Sequence, residues 1–277
     1  LLCLYPLWGK KKDQEKQVVK AKTKAVAEVE EKITDLSLFA VEEGQEEHLS
    51  QDELEIPFLK LAQKSTGQAD EDSPLYIDGL KTGQWFNTVS ESIFEGAVKF
   101  QVHGYFHNYV IFEGPKGKGT YRGTMTTEEF RVFEKANRLI RDGGDMVLAD
   151  GGDEMRYVDT HNFIINLPDF PEEGIMIYAL SSTGCKVARK WNTLTNSRRV
   201  NGRPTVRYAT IWELKTAGFD GNGFPYKQVS SIKPLEWATA SQLAFGKSFE
   251  EFTNSIKAQG VKYSEDTADA EVEESSF

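Results

Sequence analysis

Four histidines, two cysteines and 43 Asp and Glu side chains are the raw material for catalysis in this 277-residue chain. Their spacing does not assemble into a familiar reaction centre. No HExxH or other zinc-ligand spacing occurs among His48, His103, His107 and His161. His103 and His107 lie four apart on a segment that reads as a strand, which puts them on one side but roughly 13 Å apart, too far to share an ion. Cys3 and Cys185 make neither a disulfide framework nor a cysteine zinc site. The glycines and lysines of 114–120 lack the Lys that follows the second glycine of a phosphate loop, and no helix begins there. Asp142, Asp145, Asp150 and Asp153 read as a solvated acidic loop, and Asp220, Asn222 and Gly223 as turn chemistry without the twelve-residue calcium pattern. No nucleophile elbow is present. The expectation is a non-enzyme without metal or cofactor.

Binding chemistry is better represented. From Gly174 through Trp212 there is no acidic residue, while Lys186, Arg189, Lys190, Arg198, Arg199, Arg203 and Arg207 all fall within that stretch. Trp191, Asn192 and Tyr208 are interleaved with them. Cations neutralise phosphates and aromatic rings stack on bases, so the stretch suits a nucleic acid. Two alternatives stand beside this reading. Val187, Trp191 and Leu194 form an apolar stripe if 183–197 is a helix, which would make Trp191 a core residue, and the charges could be ordinary solvated surface. A second basic element is the hairpin tip carrying Lys116, Lys118 and Arg122.

The charge is unevenly distributed. The chain carries a net −10, of which −5 lies in residues 1–55 and −6 in 264–277, leaving the body at +1. Residues 13–40 show a short, weak heptad pattern on Val19, Val26, Ile33 and Ala40, consistent with a helical or disordered arm and with a possible homo-oligomer. Segment 264–277 has no base and little apolar content, and it reads as a disordered acidic tail. Such a tail could compete with a nucleic acid for a basic groove, or offer Phe277 with Glu273 and Glu274 to a partner pocket. No apolar run approaches the roughly 18 residues that span a bilayer. The lysines at 10–12 follow an apolar stretch, where a secretory signal has its positive charge first. With only two cysteines, a reducing cytoplasm is the expected location.

The elements that must position these residues lie in 56–263. Residues 58–66 read as a short helix, and 84–89 and 93–113 as strands. In the longer strand Val98, Phe100, Val102, Phe106, Val110 and Phe112 alternate with Lys99, Gln101, His103, Tyr105, His107 and Tyr109, predicting one buried face and one exposed aromatic-polar face. Thr126 and Glu129 form a capping box for a helix over 127–142, ended by Gly143-Gly144. Strands are predicted at 155–167, 174–181, 204–216 and 224–233, and helices at 183–197 and 238–258. The irregular order predicts a mostly β or α+β fold rather than a doubly wound sheet.

The tail, with Glu265, Asp266, Asp269, Glu271, Glu273, Glu274 and Phe277, resembles that of phage single-stranded DNA-binding proteins. The body is also similar to phage proteins that share Ile56-Pro-Phe-Leu-Lys60, Trp85-Phe-Asn-Thr-Val89 and Lys190-Trp-Asn192. The first resemblance implies an OB-like β-barrel core, here with helical insertions, that binds single-stranded DNA in replication or recombination. It also implies a tail that recruits replication proteins such as DNA polymerase or helicase. On that reading bases stack on Tyr105 and Tyr109, with His103 and His107 nearby, while Lys99 and the basic residues 186–207 follow the phosphates. A phage structural or assembly protein is the alternative, and a metal-dependent nuclease ranks behind both.

Overall fold

The computed structural model describes residues 55–259, apart from 65, 116–118, 143, 150–154 and 222–223. The chain divides into two units, Leu1–Leu54 and Glu55–Phe277, and everything described belongs to the second.

Two long antiparallel strands form its spine: β4 (Val98–Glu113), after the short strands β1 (Leu59–Leu61), β2 (Trp85–Asn87) and β3 (Ile93–Phe94), and β8 (Met155–Asn166). Each is too long for one neighbour and takes two. The first part of β4 pairs with β12 (Thr210–Gly221), which pairs in turn with β13 (Phe224–Trp237), and its last part pairs with β5 (Thr120–Thr126). The start of β8 pairs with β7 (Asp145–Leu148), itself in a hairpin with β6 (Leu139–Asp142), and its end pairs with β9 (Met176–Ser181). The result is an eight-stranded antiparallel sheet that curls into a half-barrel. β1, β2 and β3 make a separate small sheet. The fold is thus mostly β with few helices.

Helices cover both faces. α1 (Thr127–Ala136) starts at the predicted capping box, with the Thr126 side chain accepting from Glu129 N–H and Glu129 returning the bond. α2 (Gly184–Ser197) buries Cys185, Ala188, Trp191 and Thr195, a stripe at helical spacing, while Val187 and Leu194 pack at its edge. Trp191 is fully buried, stacked on Phe163 at 4.3 Å and edge-on to Trp212. α3 (Ala240–Ser248) and α4 (Glu250–Gln259) lie on the opposite face, where Ile256 joins Phe58, Val110, Phe112, Ile164 and Ile177.

Several elements differ from the sequence-based expectation. Residues 59–61 form a strand, because Leu59 and Leu61 are buried on either side of Lys60. The helix from Thr127 ends at Ala136, not 142: the Asn137 side chain and backbone N–H both donate to Phe133 O, closing the last turn. The β6–β7 hairpin comes next, and Gly144, at φ 102°, belongs to its turn. The strand predicted at 204–216 runs from Thr210 to Gly221, preceded by a 3-10 turn at Arg207–Ala209. The last predicted helix is two, divided at Phe249.

The largest difference is in β4. Its pairing with β8 shifts between Val102 and Gly104, so His103 is an extra residue in a β-bulge. Side-chain alternation therefore changes phase there. Val98, Phe100 and Val102 share the α2 face with Tyr105, His107 and Tyr109. Gln101 and His103 share the α3–α4 face with Phe106, Val110 and Phe112. No single face of the strand is aromatic and exposed.

Candidate functional site

On the α2 face, the β4–β8 ladder sets His107 directly opposite His161 and Tyr109 opposite Asp159. Cross-strand partners on one face are close neighbours, so the ladder gathers chemistry that the sequence spreads over 54 positions. The His107 and His161 rings stack at 4.5 Å and 4°. His107 Nε2 is 2.6 Å from Asp159 Oδ1, and His161 Nε2 is 3.7 Å from the same oxygen. The outer ring nitrogens are held separately: Tyr105 OH hydrogen-bonds His161 Nδ1 at 2.6 Å, and Thr127 Oγ1 lies 3.1 Å from His107 Nδ1. Among the described residues, His107, Asp159 and His161 are a group whose ligand atoms lie close enough together to hold a metal ion, all within 4.8 Å of one another.

Burial sets the electrostatics of this cluster. Desolvation lowers His161 to about 4 despite the neighbouring Asp159 charge, so its ring is neutral at pH 7. Burial pushes Asp159 up, but the His107 hydrogen bond and the charges of His107, His161 and Arg189 outweigh it and leave the carboxyl below its ordinary value. Burial, reinforced by Asp159, raises the Cys185 thiol to about 12, so it is an inert core thiol donating to Asp159 O. Arg207 lies over the Tyr105 ring at 5.2 Å and donates to Asn192 Oδ1.

The same face continues outward into a basic surface. Burial of Cys185, Ala188 and Trp191 turns Lys186, Arg189 and Lys190 outward, and all three are exposed. The helix runs through Arg198 into the hairpin of β10 (Arg199–Val200) and β11 (Arg203–Pro204). Asn201 and Gly202, at φ 50° and 76°, provide the two-residue turn that this hairpin needs. Arg199 and Arg203 are exposed on it. Among the described residues, Lys186, Lys190, Arg198, Arg199 and Arg203 have no ion pair, whereas Arg189 reaches Asp159 Oδ2 at 4.0 Å. Arg198 lies 4.0 Å over the ring of Trp237, which is 48% exposed. Trp237 was outside the sequence-derived candidates; its place at the end of the last strand, beyond the predicted 224–233, hid it.

The remaining candidates separate clearly. Trp191 is core, enclosed by Phe163, Phe100, Tyr178 and Trp212, and offers no ring face to a ligand. His103 is buried on the other side of the sheet, bonded to Asn166 and surrounded by Tyr208, Phe245 and Phe249. Tyr109 stacks on Phe130 of α1 at 3.6 Å, and Tyr105 is covered by Arg207, so neither is an open stacking platform. Lys99 pairs with Asp169 and Glu236, and Arg122 pairs with Glu113. Asp145 is not solvated: it is buried against Arg156 at 3.1 Å. Lys116, Lys118, Asp150, Asp153, Glu273, Glu274 and Phe277 lie outside the described residues.

Fold and surface together define a mostly β protein whose curled sheet carries a basic helix-and-hairpin face beside a two-histidine, one-carboxylate cluster. Residues 9–262 match the model of the Pam3 phage gp34-like protein family, and the chain belongs to that family of phage-related proteins. No curated protein and no solved structure matches it. Among the described residues, no helix is long and apolar enough to cross a membrane.

Proposed function

We propose that this protein binds single-stranded DNA without sequence preference, in phage replication or recombination, along the outer face of α2 and the β10–β11 hairpin. The observation that carries the reading is the run of exposed cations from Lys186 to Arg203, set in a stretch without acids and largely without ion pairs among the described residues. Unpaired surface cations hold backbone phosphates well, because binding releases the counterions condensed on the nucleic acid. Trp237 has Arg198 over one face but, unlike Tyr105, which also packs on His161 and Phe163, is 48% exposed and adds aromatic surface at the edge of that patch, where base–aromatic stacking needs no base-edge code. The curled sheet serves as an OB-like platform, although the ligand tracks the helix and hairpin rather than the strand face. The acidic segment 264–277 competes with DNA for the cations and presents Phe277, Glu273 and Glu274 to replication proteins such as a polymerase or helicase.

The experiment is a titration of the protein into fluorescent oligo-dT at low and moderate salt, with the full chain and with a chain lacking 264–277. The reading predicts salt-sensitive binding that favours single strands over duplex, strengthened by tail removal. Reversing Arg199 and Arg203 to Glu lowers the salt slope, by about 0.7 for each phosphate that is no longer neutralised. Absence of binding by either form overturns the proposal and favours a structural or assembly role in the phage particle.

A further inference from the structure

We propose that His107, Asp159 and His161 form a binding site for a divalent transition metal of the Zn2+ class. The inference is independent of the nucleic-acid reading and goes beyond it.

Proton placement at His107 is the first argument. Thr127 Oγ1 donates its one proton to the His107 carbonyl at 3.0 Å, so toward His107 Nδ1 it can only accept. In the tautomer with the ring proton on Nδ1, His107 presents its Nε2 lone pair. That lone pair faces Asp159 Oδ1 at 2.6 Å. Two acceptors so close share a cation: a proton at this hydrogen-bond separation, or a metal ion once they spread to the wider spacing of two ligands on one ion.

His161 distinguishes the two. Its Nδ1 is engaged by Tyr105, and its Nε2 is buried, without a hydrogen-bond partner, 3.7 Å from the same carboxylate oxygen. A proton on His107 satisfies the His107–Asp159 pair and leaves His161 Nε2 unpaired. A buried polar atom without a partner requires an explanation, and ligation of an ion is one. A metal ion between the strands engages all three donors at once.

The surroundings match a ligand cluster in two further ways. Each histidine has its outer nitrogen oriented by a hydroxyl, Thr127 for one and Tyr105 for the other, the second layer that fixes ligating rings. The three donors come from facing positions of paired strands, so the backbone ladder holds them. Two imidazoles and one carboxylate select Zn2+, Fe2+, Co2+ or Ni2+ over Mg2+ and Ca2+, which prefer oxygen. Three protein ligands leave coordination positions open to water or an anionic oxygen. The parallel rings must tilt for both Nε2 lone pairs to reach one ion, and loading is expected to reduce their stacking.

The test is isothermal titration of the full chain with Zn2+, and with Co2+ read by its visible absorption. One equivalent of either ion is expected, with Co2+ bands of nitrogen–oxygen coordination. His161→Ala and Asp159→Asn each remove that equivalent, while Tyr105→Phe weakens it 10–100-fold, the usual effect of losing an outer-layer partner. His103→Gln leaves it unchanged. Circular dichroism verifies that each variant is folded, and Asp159→Asn, nearly isosteric, is the informative one should His161→Ala not fold. Absence of Zn2+ and Co2+ binding by the wild-type chain overturns the proposal. So does an equivalent that survives folded Asp159→Asn and Tyr105→Phe.

Discussion

His103 and His107 sit four residues apart on one strand and have opposite environments. His103 points into the α3–α4 side, bonds Asn166 and is enclosed by Tyr208, Phe245 and Phe249. His107 points to the α2 side and meets a second histidine and a carboxylate. The difference comes from the bulge at His103, which changes the phase of the alternation partway along β4. Both sides hold packed core, but beyond the bulge the α2 side also gathers ionisable groups beside the basic helix. A bulge is a means of re-aiming side chains without changing their identities.

The sharpest way to break this comparison is by single-residue deletion. Deleting Phe106 closes the bulge too, keeping Val110 and Phe112 in register but moving Gly104 and Tyr105 each to the opposite face, so the Tyr105–His161 bond and the Phe106 packing are lost together and the larger destabilisation is expected. Deleting His103 removes only the extra residue and leaves a regular ladder with both faces intact. That variant should fold, destabilised by about 1–3 kcal/mol for the unpaired Asn166 side chain. Soluble yield and denaturant midpoints distinguish the two. Equal behaviour of the two deletions contradicts the phase change.

Trp191→Ala is next in size. Its ring fills the core beneath the basic face, and its removal should cost about 3–5 kcal/mol of stability, measured by urea unfolding. Trp237→Ala is the counterpart on the surface. It should leave stability nearly unchanged but weaken oligo-dT binding by about 1–3 kcal/mol in an anisotropy titration. A Trp237 variant that unfolds, or binds normally, would remove that residue from the interface.

The smallest effect concerns acid. Burial depresses the His103 pKa, against a smaller opposing effect of its Asn166 hydrogen bond. The folded state therefore binds this proton less readily than the unfolded chain. Stability is fully present above the unfolded value near 6.5 and is lost as pH falls from there toward the depressed folded value. The groups around it are uncharged apart from the nearby Tyr208–Glu250 hydrogen bond. In His103→Gln the loss of stability between pH 7 and 5 should be shallower, a difference visible in melting temperatures across that range.

Much of this molecule was legible in its sequence because the cues were local. The Thr126–Glu129 capping box, the start and end of α2, and the alternating runs that became β4 and β8 depend on neighbours within a few positions. The OB-like assignment is a finer statement than the curled sheet supports. What escaped was non-local. A bulge leaves the composition of β4 unchanged and depends on the partner strand, so period-two counting assigned Tyr105 and His103 to one face. His161 carries no motif spacing to His107, because cross-strand register brings them together. The helix predicted to 142 failed for the same reason: Leu139 and Ile140 suit a helix face, but β7 offers them hairpin partners. Lys186, Arg189, Lys190, Arg199 and Arg203 stand out as a group in the sequence and on the surface alike, since freedom from acids over 174–212 is a one-dimensional property. Lys99 and Arg122 do not, because their carboxylate partners come from a distant turn and from other strands.

The most direct test of the two-faced sheet is a long-range 1H–15N spectrum of the histidine rings in the full chain as Zn2+ is added. The account predicts that the Nε2 signals of His107 and His161 move together, saturating at one equivalent, while those of His103 stay where they are. Movement of His103, or no response from the His107–His161 pair, would contradict it.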